Sequence, residues 1–185
     1  MTDKAVLIPI KDFESAKVRL STVLGSNDRA DLAKDLATSV ISACMESPVF
    51  IACEDDAVES WARDLGAEVL RNPSEGLNEA VDFGFRSLKE KGFKSVLITH
   101  GDLIYPAGLL SLFGMEEIVI VPDSEFDGTN VLVLPTSIAF EFSYGPNSYT
   151  RHLKLASTLE AEVLVVTDSP FSFDIDDPDD LHYVL

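Results

Sequence analysis

Short apolar runs rich in β-branched residues alternate with segments of helical periodicity along this chain. This alternation limits its possible folds more than any other feature. The first two runs are Ala5 to Ile10 and Pro48 to Ala52. Between them we predict a helix that ends near Met45 and has Ser26 or Asn27 as its capping residue. Strands separated by helices of this length predict a mainly parallel, doubly wound sheet with helices on both faces.

The remainder of the chain continues the pattern, with one expected departure. NVLVL at Asn130 to Leu134 follows a Gly-containing loop without a helix, so this strand is predicted to be antiparallel or irregular. The other strands are predicted at Glu68 to Leu70, Ser95 to Thr99, Glu117 to Val121, Val163 to Val166 and Phe171 to Asp174, and the other helices at Ala57 to Leu65 and Leu77 to Lys91, with Gly92 ending the latter. We expect one three-layer α/β domain over residues 1–185.

The charge of the chain is strongly unbalanced, with 14 Lys and Arg against 32 Asp and Glu and a formal net charge of -18. Such a charge argues against nonspecific binding to nucleic acid or to anionic membranes. No stretch approaches the roughly 20 apolar residues of a membrane helix, and the N-terminus lacks a signal-peptide pattern. We therefore expect a cytoplasmic protein that binds neither nucleic acid nor membranes, with Cys44 and Cys53 reduced and buried.

A cationic cluster follows the first predicted strand, where Lys11, Lys17 and Arg19 lie in KDFESAKVRL. Ligands of doubly wound sheets bind beyond the carboxyl ends of the strands, so these side chains are candidates for binding phosphate. A solvated helix start with exposed cations is the alternative. Neither a Walker loop nor a dinucleotide-binding glycine motif is present.

Carboxylates follow two other predicted strands. Asp102 comes directly after SVLIT, and Asp174 and Asp176 flank Ile175. In an extended segment the latter two point to the same side, where they repel unless a cation such as Mg²⁺ lies between them. The alternative is that Asp102 serves a turn and that an acidic turn leads into a short helix. That alternative does not explain why Asp174 and Asp176 share a face.

His152 follows a turn, YGPNS, in which Ser148 could cap the next helix. A structural role for His152 and a catalytic one both stay open at this point. No His and Cys spacing indicates zinc, and no Ser-His-Asp set is identifiable from the order of residues.

Six segments, spread over nearly the whole chain, carry a resemblance to a known family. They are IPIKDFESAKVRL at Ile8 to Leu20, EGLNEA at Glu75 to Ala80, HGDL at His100 to Leu103, DGTNVL at Asp127 to Leu132, YGPNSYTRH at Tyr144 to His152 and DIDDPDDL at Asp174 to Leu181. In this order they resemble the guanylyltransferases that make the GDP-linked precursor of the deazaflavin coenzyme F-420.

The resemblance implies a GT-A-like nucleotidyltransferase fold with Mg²⁺ as cofactor. It also implies transfer of GMP from GTP to 2-phospho-L-lactate, phosphoenolpyruvate or a close relative, with release of pyrophosphate. By resemblance, the metal ligands would be Asp102, Asp174 and Asp176, and the acceptor would bind to Thr129, Gly145 and Ser148. The phosphates would face Lys11, Lys17 and Arg19, and Leu77 and Asn78 would lie near the nucleotide. Lys17, Arg19 and Asp102 would carry catalysis. A homodimer is left open.

Two departures and two alternatives accompany this resemblance. The family commonly has Leu-Pro directly after the first Asp, whereas here Asp102 and Leu103 are followed by Ile104, Tyr105 and Pro106. Asp177 stands where the family commonly has Thr, so both departures could change the acceptor pocket. Another GT-A-like nucleotidyltransferase or a glycosyltransferase is one alternative, although such nucleotidyltransferases usually carry a Gly-rich loop where Pro9 to Asp12 stands here. A non-catalytic nucleotide-binding subunit is the other, and it predicts the loss of a carboxylate that this chain retains.

Overall fold

The computed structural model describes residues 3–183, and within that range seven strands form one sheet flanked by four α-helices. The strands are β1 (Lys4–Pro9), β2 (Val49–Cys53), β3 (Glu68–Arg71), β4 (Ser95–Thr99), β5 (Ile118–Pro122), β6 (Thr129–Pro135) and β7 (Val163–Val165). The helices are α1 (Ser26–Cys44), α2 (Asp56–Asp64), α3 (Leu77–Glu90) and α4 (Ser148–Ala156). Among these residues no helix combines the length and apolar character needed to cross a bilayer.

The strand order is β3-β2-β1-β4-β6-β5-β7. β6 runs antiparallel to both of its neighbours, whereas every other pair is parallel. The predicted antiparallel strand late in the chain is therefore confirmed. From β1 the chain winds outward to β2 and β3 and then returns to β4 on the other side of β1. The strand order thus reverses between β1 and β4, which is where ligands of such sheets bind.

Side chains of the central strands alternate between two apolar cores, as the period of a strand requires. In β1, Val6 and Ile8 pack toward α1 and α2, whereas Ala5 and Leu7 pack toward α3 and α4. The expected three-layer α/β architecture is therefore confirmed. Gly84 lets α3 lie close against β1, because a Cβ there would stand 2.7 Å from a methyl carbon of Leu7.

Two capping predictions were wrong by one residue. α1 begins at Ser26, and its N-cap is Gly25, so neither Ser26 nor Asn27 fills that position. α4 likewise begins at Ser148 after Asn147, whose φ of 58° is left-handed. Glycine and asparagine are both common at the N-cap position, and asparagine also tolerates a left-handed backbone, so either can take the place of the expected serine.

The strand predicted at Phe171 to Asp174 is also wrong. Pro170–Ser172 forms a 3-10 turn, begun by the Ser169 hydroxyl, which accepts a hydrogen bond from the Phe171 N–H at 3.2 Å. Proline at a first helical position and serine before it both favour such a turn over a strand. Asp174 makes only an isolated antiparallel bridge, to Leu103.

Candidate active site

The loops that follow β1 and β4 enclose a cleft at the point where the strand order reverses. A cavity of about 490 Å³ is lined by the loop that contains Lys11, Lys17 and Arg19 and also by Asp102 and Asp176. A second cavity, of about 430 Å³, shares Pro9, Ile10 and Lys11 with the first. The cationic loop predicted from the sequence therefore faces the carboxylates, and the cleft extends beyond it.

Asp102, Asp174 and Asp176 come together as a carboxylate cluster. One oxygen of each lies within 4.8 Å of the others, although the residues are far apart in sequence. The bridge between Leu103 and Asp174 brings the two segments side by side. Ile175 is fully buried between its two acidic neighbours, so the predicted alternation around it holds without a regular strand.

Apolar anchors hold both sides of this cluster, and the sequence reasoning did not identify them. Leu20, next to the cationic loop, packs in one small core with Ile175, Leu36 and Leu181. The buried amide of Asn130 also donates to the Phe171 carbonyl at 3.2 Å, which ties the start of β6 to the segment that carries Asp174. Ile175 had a visible signal, because it is an apolar residue within an acidic run.

Lys17 is the cation nearest the carboxylate cluster. Its ammonium forms an ion pair with Asp102 and lies 3.3 Å from a carboxylate oxygen of Asp176, and its side chain is only 7% exposed. The backbone of Lys17 is left-handed, with a φ of 54°. Burial alone would lower the pKa of Lys17, but the charges of Asp102 and Asp176 outweigh burial and raise it. Lys17 therefore stays charged inside the cluster.

The carboxyl groups differ in how strongly their surroundings favour the ionised form. Burial opposes the ionised form of Asp102, yet the Lys17 ammonium holds the pKa of Asp102 below its ordinary value. For Asp174, burial and the charges of Asp102 and Asp176 raise the pKa. In addition, Oδ1 of Asp102 is buried and has no hydrogen-bond partner within residues 3–183. Hard carboxylate oxygens, one of them unpaired, fit a divalent cation such as Mg²⁺.

The other two cations are more exposed than Lys17. The side chain of Arg19 is 69% exposed, and its guanidinium lies 3.8 Å from Asp176 and 3.6 Å from Asp177. Lys11 is exposed and borders both cavities. Ion pairs this exposed contribute little to stability, so these side chains remain available to an anionic ligand.

The two residues predicted near the nucleotide have different surroundings. Leu77 lines the 430 Å³ cavity and is 38% exposed. Asn78, the next residue, turns away from it. The side-chain oxygen of Asn78 accepts the Tyr144 N–H at 2.6 Å, and its amide nitrogen donates to the Tyr144 carbonyl at 3.3 Å. Asn78 thus links the start of α3 to the turn predicted to bind the acceptor.

His152 and Thr129 form a buried imidazole cluster with the Ser143 backbone. The Ser143 N–H donates to Nε2 of His152 at 3.0 Å, so the ring proton must lie on Nδ1, which contacts the Thr129 hydroxyl oxygen at 3.0 Å. Burial lowers the pKa of His152 to about 4, and electrostatic interactions with Arg151 and His100 lower it further. The structure therefore gives His152 the role of a neutral structural imidazole.

The turn at 145–148 is held largely by its own hydrogen bonds. The Ser148 N–H donates to the Gly145 carbonyl at 3.0 Å, and the Asn147 N–H donates to the Asp127 carboxylate at 3.0 Å. Pro146 has no N–H to offer. Within the described residues, the Gly145 N–H is therefore the backbone donor that this turn leaves available. Gly145 itself has a φ of +111°, a conformation that L side chains rarely adopt.

The predicted residues thus fall into two groups. The predicted phosphate-facing residues and Leu77 line the cavities. The predicted metal ligands belong to the same place, because the carboxylate cluster borders the larger cavity. Neither cavity is lined by Thr129, Gly145 or Ser148. These residues lie beside Tyr144 and His152, and the Tyr144 ring stands 5.3 Å from that of His100, two residues before Asp102. Their role in binding the acceptor stays a prediction.

Several solved structures share this fold. A protein from Desulfovibrio desulfuricans G20 described as a nucleotide-diphospho-sugar transferase has a TM-score of 0.79 and 17% identity, covering 96% of this chain and 84% of that one. The 4-diphosphocytidyl-2C-methyl-D-erythritol synthase of Anaerococcus prevotii has a TM-score of 0.63 and 12% identity, covering 98% and 96%. At such identities the likeness establishes the fold, as the sequence predicted.

Sequence relatives establish the family. A phosphoenolpyruvate guanylyltransferase from Rubrobacter xylanophilus is 35% identical over 95% of this chain and 90% of its own length. A 2-phospho-L-lactate guanylyltransferase from Methanocaldococcus jannaschii is 28% identical over 95% of this chain and 80% of its own. The model of the CofC-like guanylyl transferases matches residues 4–185. The chain therefore belongs to the CofC-like guanylyl transferase family of nucleotidyltransferases.

Proposed function

We propose that this enzyme transfers GMP from GTP to the phosphate of phosphoenolpyruvate or 2-phospho-L-lactate, with release of pyrophosphate, as a cytoplasmic step of coenzyme F-420 biosynthesis. The observation that carries the proposal is the carboxylate cluster facing the loop of Lys11, Lys17 and Arg19 across one cleft. The acceptor class comes from the relatives, whose names specify these two phosphorylated acids.

The reaction needs no general base. In it, an acceptor phosphate oxygen forms a bond to the α-phosphorus of GTP, and the bond from that phosphorus to the bridging oxygen breaks as pyrophosphate leaves. Phosphate monoesters are already mostly ionised near neutral pH, so no proton has to be removed from the acceptor. The neutral, fully buried His152 agrees with this requirement, because both of its ring nitrogens are already engaged.

The main obstacle is repulsion between two anionic substrates in an acidic protein. Lys17 and Arg19 lie in the cleft, and Lys11 stands where the two cavities join. These cations would pair with the triphosphate oxygens and stabilise the charge that builds on the leaving pyrophosphate. Arg19 is free to reach such a ligand, whereas Lys17 would exchange a carboxylate partner for a phosphate.

Asp102, Asp174 and Asp176 are the residues that would hold Mg²⁺. Bound there, the ion would neutralise the carboxylates and the phosphate charge beside them. The buried Oδ1 of Asp102, which has no partner among the described residues, supports this part of the proposal, because it is an acceptor of the kind that Mg²⁺ prefers.

Thr129, Gly145 and Ser148 remain our proposed acceptor-binding residues. The Gly145 N–H is available to an anion, and the Thr129 hydroxyl accepts a hydrogen bond from His152, which leaves its own proton free to donate. Gly145→Val should raise the apparent constant for the acceptor much more than that for GTP. A change confined to the GTP constant would mean that the two subsites are interchanged.

The decisive experiment measures pyrophosphate release from GTP with Mg²⁺ and a panel of phosphorylated acids that includes both proposed acceptors. We expect release only when an acceptor is added, and preference for GTP over ATP. Asp102→Asn serves as the inactive control and Asp179→Asn, an exposed carboxylate outside the cluster, as the active one. Equal turnover of ATP and GTP, or no acceptor that stimulates release, would contradict the proposal.

A further inference from the structure

Asn72 carries a buried polar atom that the fold leaves unused. The residue follows β3, is only 8% exposed, and lines the 430 Å³ cavity. Its Oδ1 has no hydrogen-bond partner within residues 3–183. An unpaired acceptor in a buried position destabilises the fold, so its presence calls for a ligand that satisfies it.

The orientation of the Asn72 amide is fixed by its neighbours. Its Nδ2 donates to the Ser74 carbonyl at 2.8 Å, which identifies the other terminal atom as the oxygen. Its backbone N–H donates to the Cys53 carbonyl at 3.1 Å and so extends the pairing of β3 with β2. The oxygen is therefore held in place before any ligand binds, as recognition requires.

The cavity beside Asn72 suits a flat heterocycle. Ala52, Cys53 and Ala80 contribute small buried side chains, and Leu77 contributes an exposed apolar one. The cavity joins the cationic cleft at Lys11, so a nucleotide with its phosphates in the cleft would have its base near Asn72. Apolar walls with few polar groups are typical of small-molecule sites.

We propose that Asn72 determines base specificity: its Oδ1 accepts a hydrogen bond from the N–H edge of guanine. This inference rests on the proposed use of GTP. The edge of guanine that carries N1 and the 2-amino group presents adjacent donors, whereas the same edge of adenine presents the N1 acceptor. Guanine satisfies the buried oxygen, but adenine in the same pose leaves it unpaired and places an acceptor beside it. A site built around a buried polar group rejects ligands that leave that group unpaired.

Direct binding of GTP and ATP, measured by calorimetry without an acceptor, tests the assignment. In the parent, GTP should bind more tightly than ATP. Asn72→Ala should weaken GTP binding about 10-fold or more and should not weaken ATP binding, so that the preference disappears. Leu77→Ala is the matched control on the same cavity wall, and it should weaken both nucleotides alike because apolar contact does not distinguish the bases.

Asn72→Asp separates the two ends of the amide. It keeps an acceptor oxygen but loses the donor to Ser74, and it should retain the preference for GTP. Loss of preference in Asn72→Asp as well as in Asn72→Ala, or equal weakening of both nucleotides by Asn72→Ala, would overturn the assignment. Because no acceptor is present, a failure to turn over the phosphorylated acids would count against the proposed function and would leave this binding comparison intact.

Discussion

The carboxylate cluster and the imidazole cluster lie beside the same end of the sheet, yet they treat buried polar groups in opposite ways. In the imidazole cluster, both ring nitrogens of His152 have partners and the ring is neutral. In the carboxylate cluster, one oxygen of Asp102 has no partner among residues 3–183, and burial together with the charges of Asp102 and Asp176 raises the pKa of Asp174. The first arrangement stabilises the fold without a ligand. In the second, repulsion between carboxylates destabilises the ligand-free fold, and a bound cation would reduce that repulsion, as expected of a functional site.

The largest expected difference between the clusters is in catalysis. Asp102→Asn keeps the size of the side chain and removes its charge, so pyrophosphate release should fall by roughly 10²-fold or more, the scale for losing one electrostatic contact to a transition state. The fold should survive, as thermal unfolding would verify. Activity near the parent level in both Asp102→Asn and Asp176→Asn at low Mg²⁺ would refute the metal-binding assignment.

The imidazole cluster should make the stability of the fold depend on pH. Free imidazole has a pKa of about 6.5, and that of His152 is about 4 in the folded protein. Well above pH 6.5 the ring is neutral in both the folded and the unfolded state, so its titration does not change the free energy of unfolding. As the pH falls from about 6.5 to about 4, only the unfolded state takes up the proton, so about 3 kcal/mol of stability should be lost.

Urea unfolding of the parent and of His152→Gln across this pH range measures the effect. Glutamine can donate and accept without titrating, so the variant should lose less stability on acidification. His182→Gln changes an exposed imidazole and should follow the parent. If His152→Gln and the parent show the same slope, the buried imidazole does not govern acid stability.

Lys17 and Arg19 are both proposed to bind GTP, but replacing them should affect the stability of the protein differently. Each alanine variant should weaken GTP binding by about 1–3 kcal/mol, the range for charge-assisted hydrogen bonds. Only Lys17→Ala removes a buried counter-ion, so it alone should lower the melting temperature of the metal-free protein. If both variants bind GTP like the parent, neither side chain contacts the triphosphate.

The sequence predicted those parts of the molecule that depend on local pattern. Apolar periodicity located the strands and helices, and the order of elements gave the doubly wound sheet with the antiparallel β6. Local pattern does not predict that Asp102 lies beside Asp174, because their proximity depends on the bridge between Leu103 and Asp174. The family resemblance supplied Asp102, Asp174 and Asp176 as proposed metal ligands, whereas composition and spacing alone left this assignment open.

The sequence could not show which polar groups lack partners. Asn72 looks like an ordinary turn residue, and only the packed structure shows that its oxygen is buried and has no partner in the described part of the chain. The burial of Lys17 between carboxylates was hidden for the same reason, since the sequence suggested a cation facing phosphate. Such features depend on long-range packing, which residue spacing does not encode.

The smallest expected effect is a gain in stability at the carboxylate cluster. Because burial and its acidic neighbours raise the pKa of Asp174, its ionised form destabilises the metal-free fold. Asp174→Asn should therefore stabilise that form at pH 8, by about 1.4 kcal/mol for each unit by which the pKa is raised. The gain should shrink toward pH 4, because the parent carboxyl then becomes protonated in the folded protein. Added Mg²⁺ should reverse the ranking, since it stabilises the parent more than the variant. Thermal unfolding with EDTA and with Mg²⁺ measures both effects, and a variant that is less stable than the parent in EDTA would show that the cluster stores no repulsion.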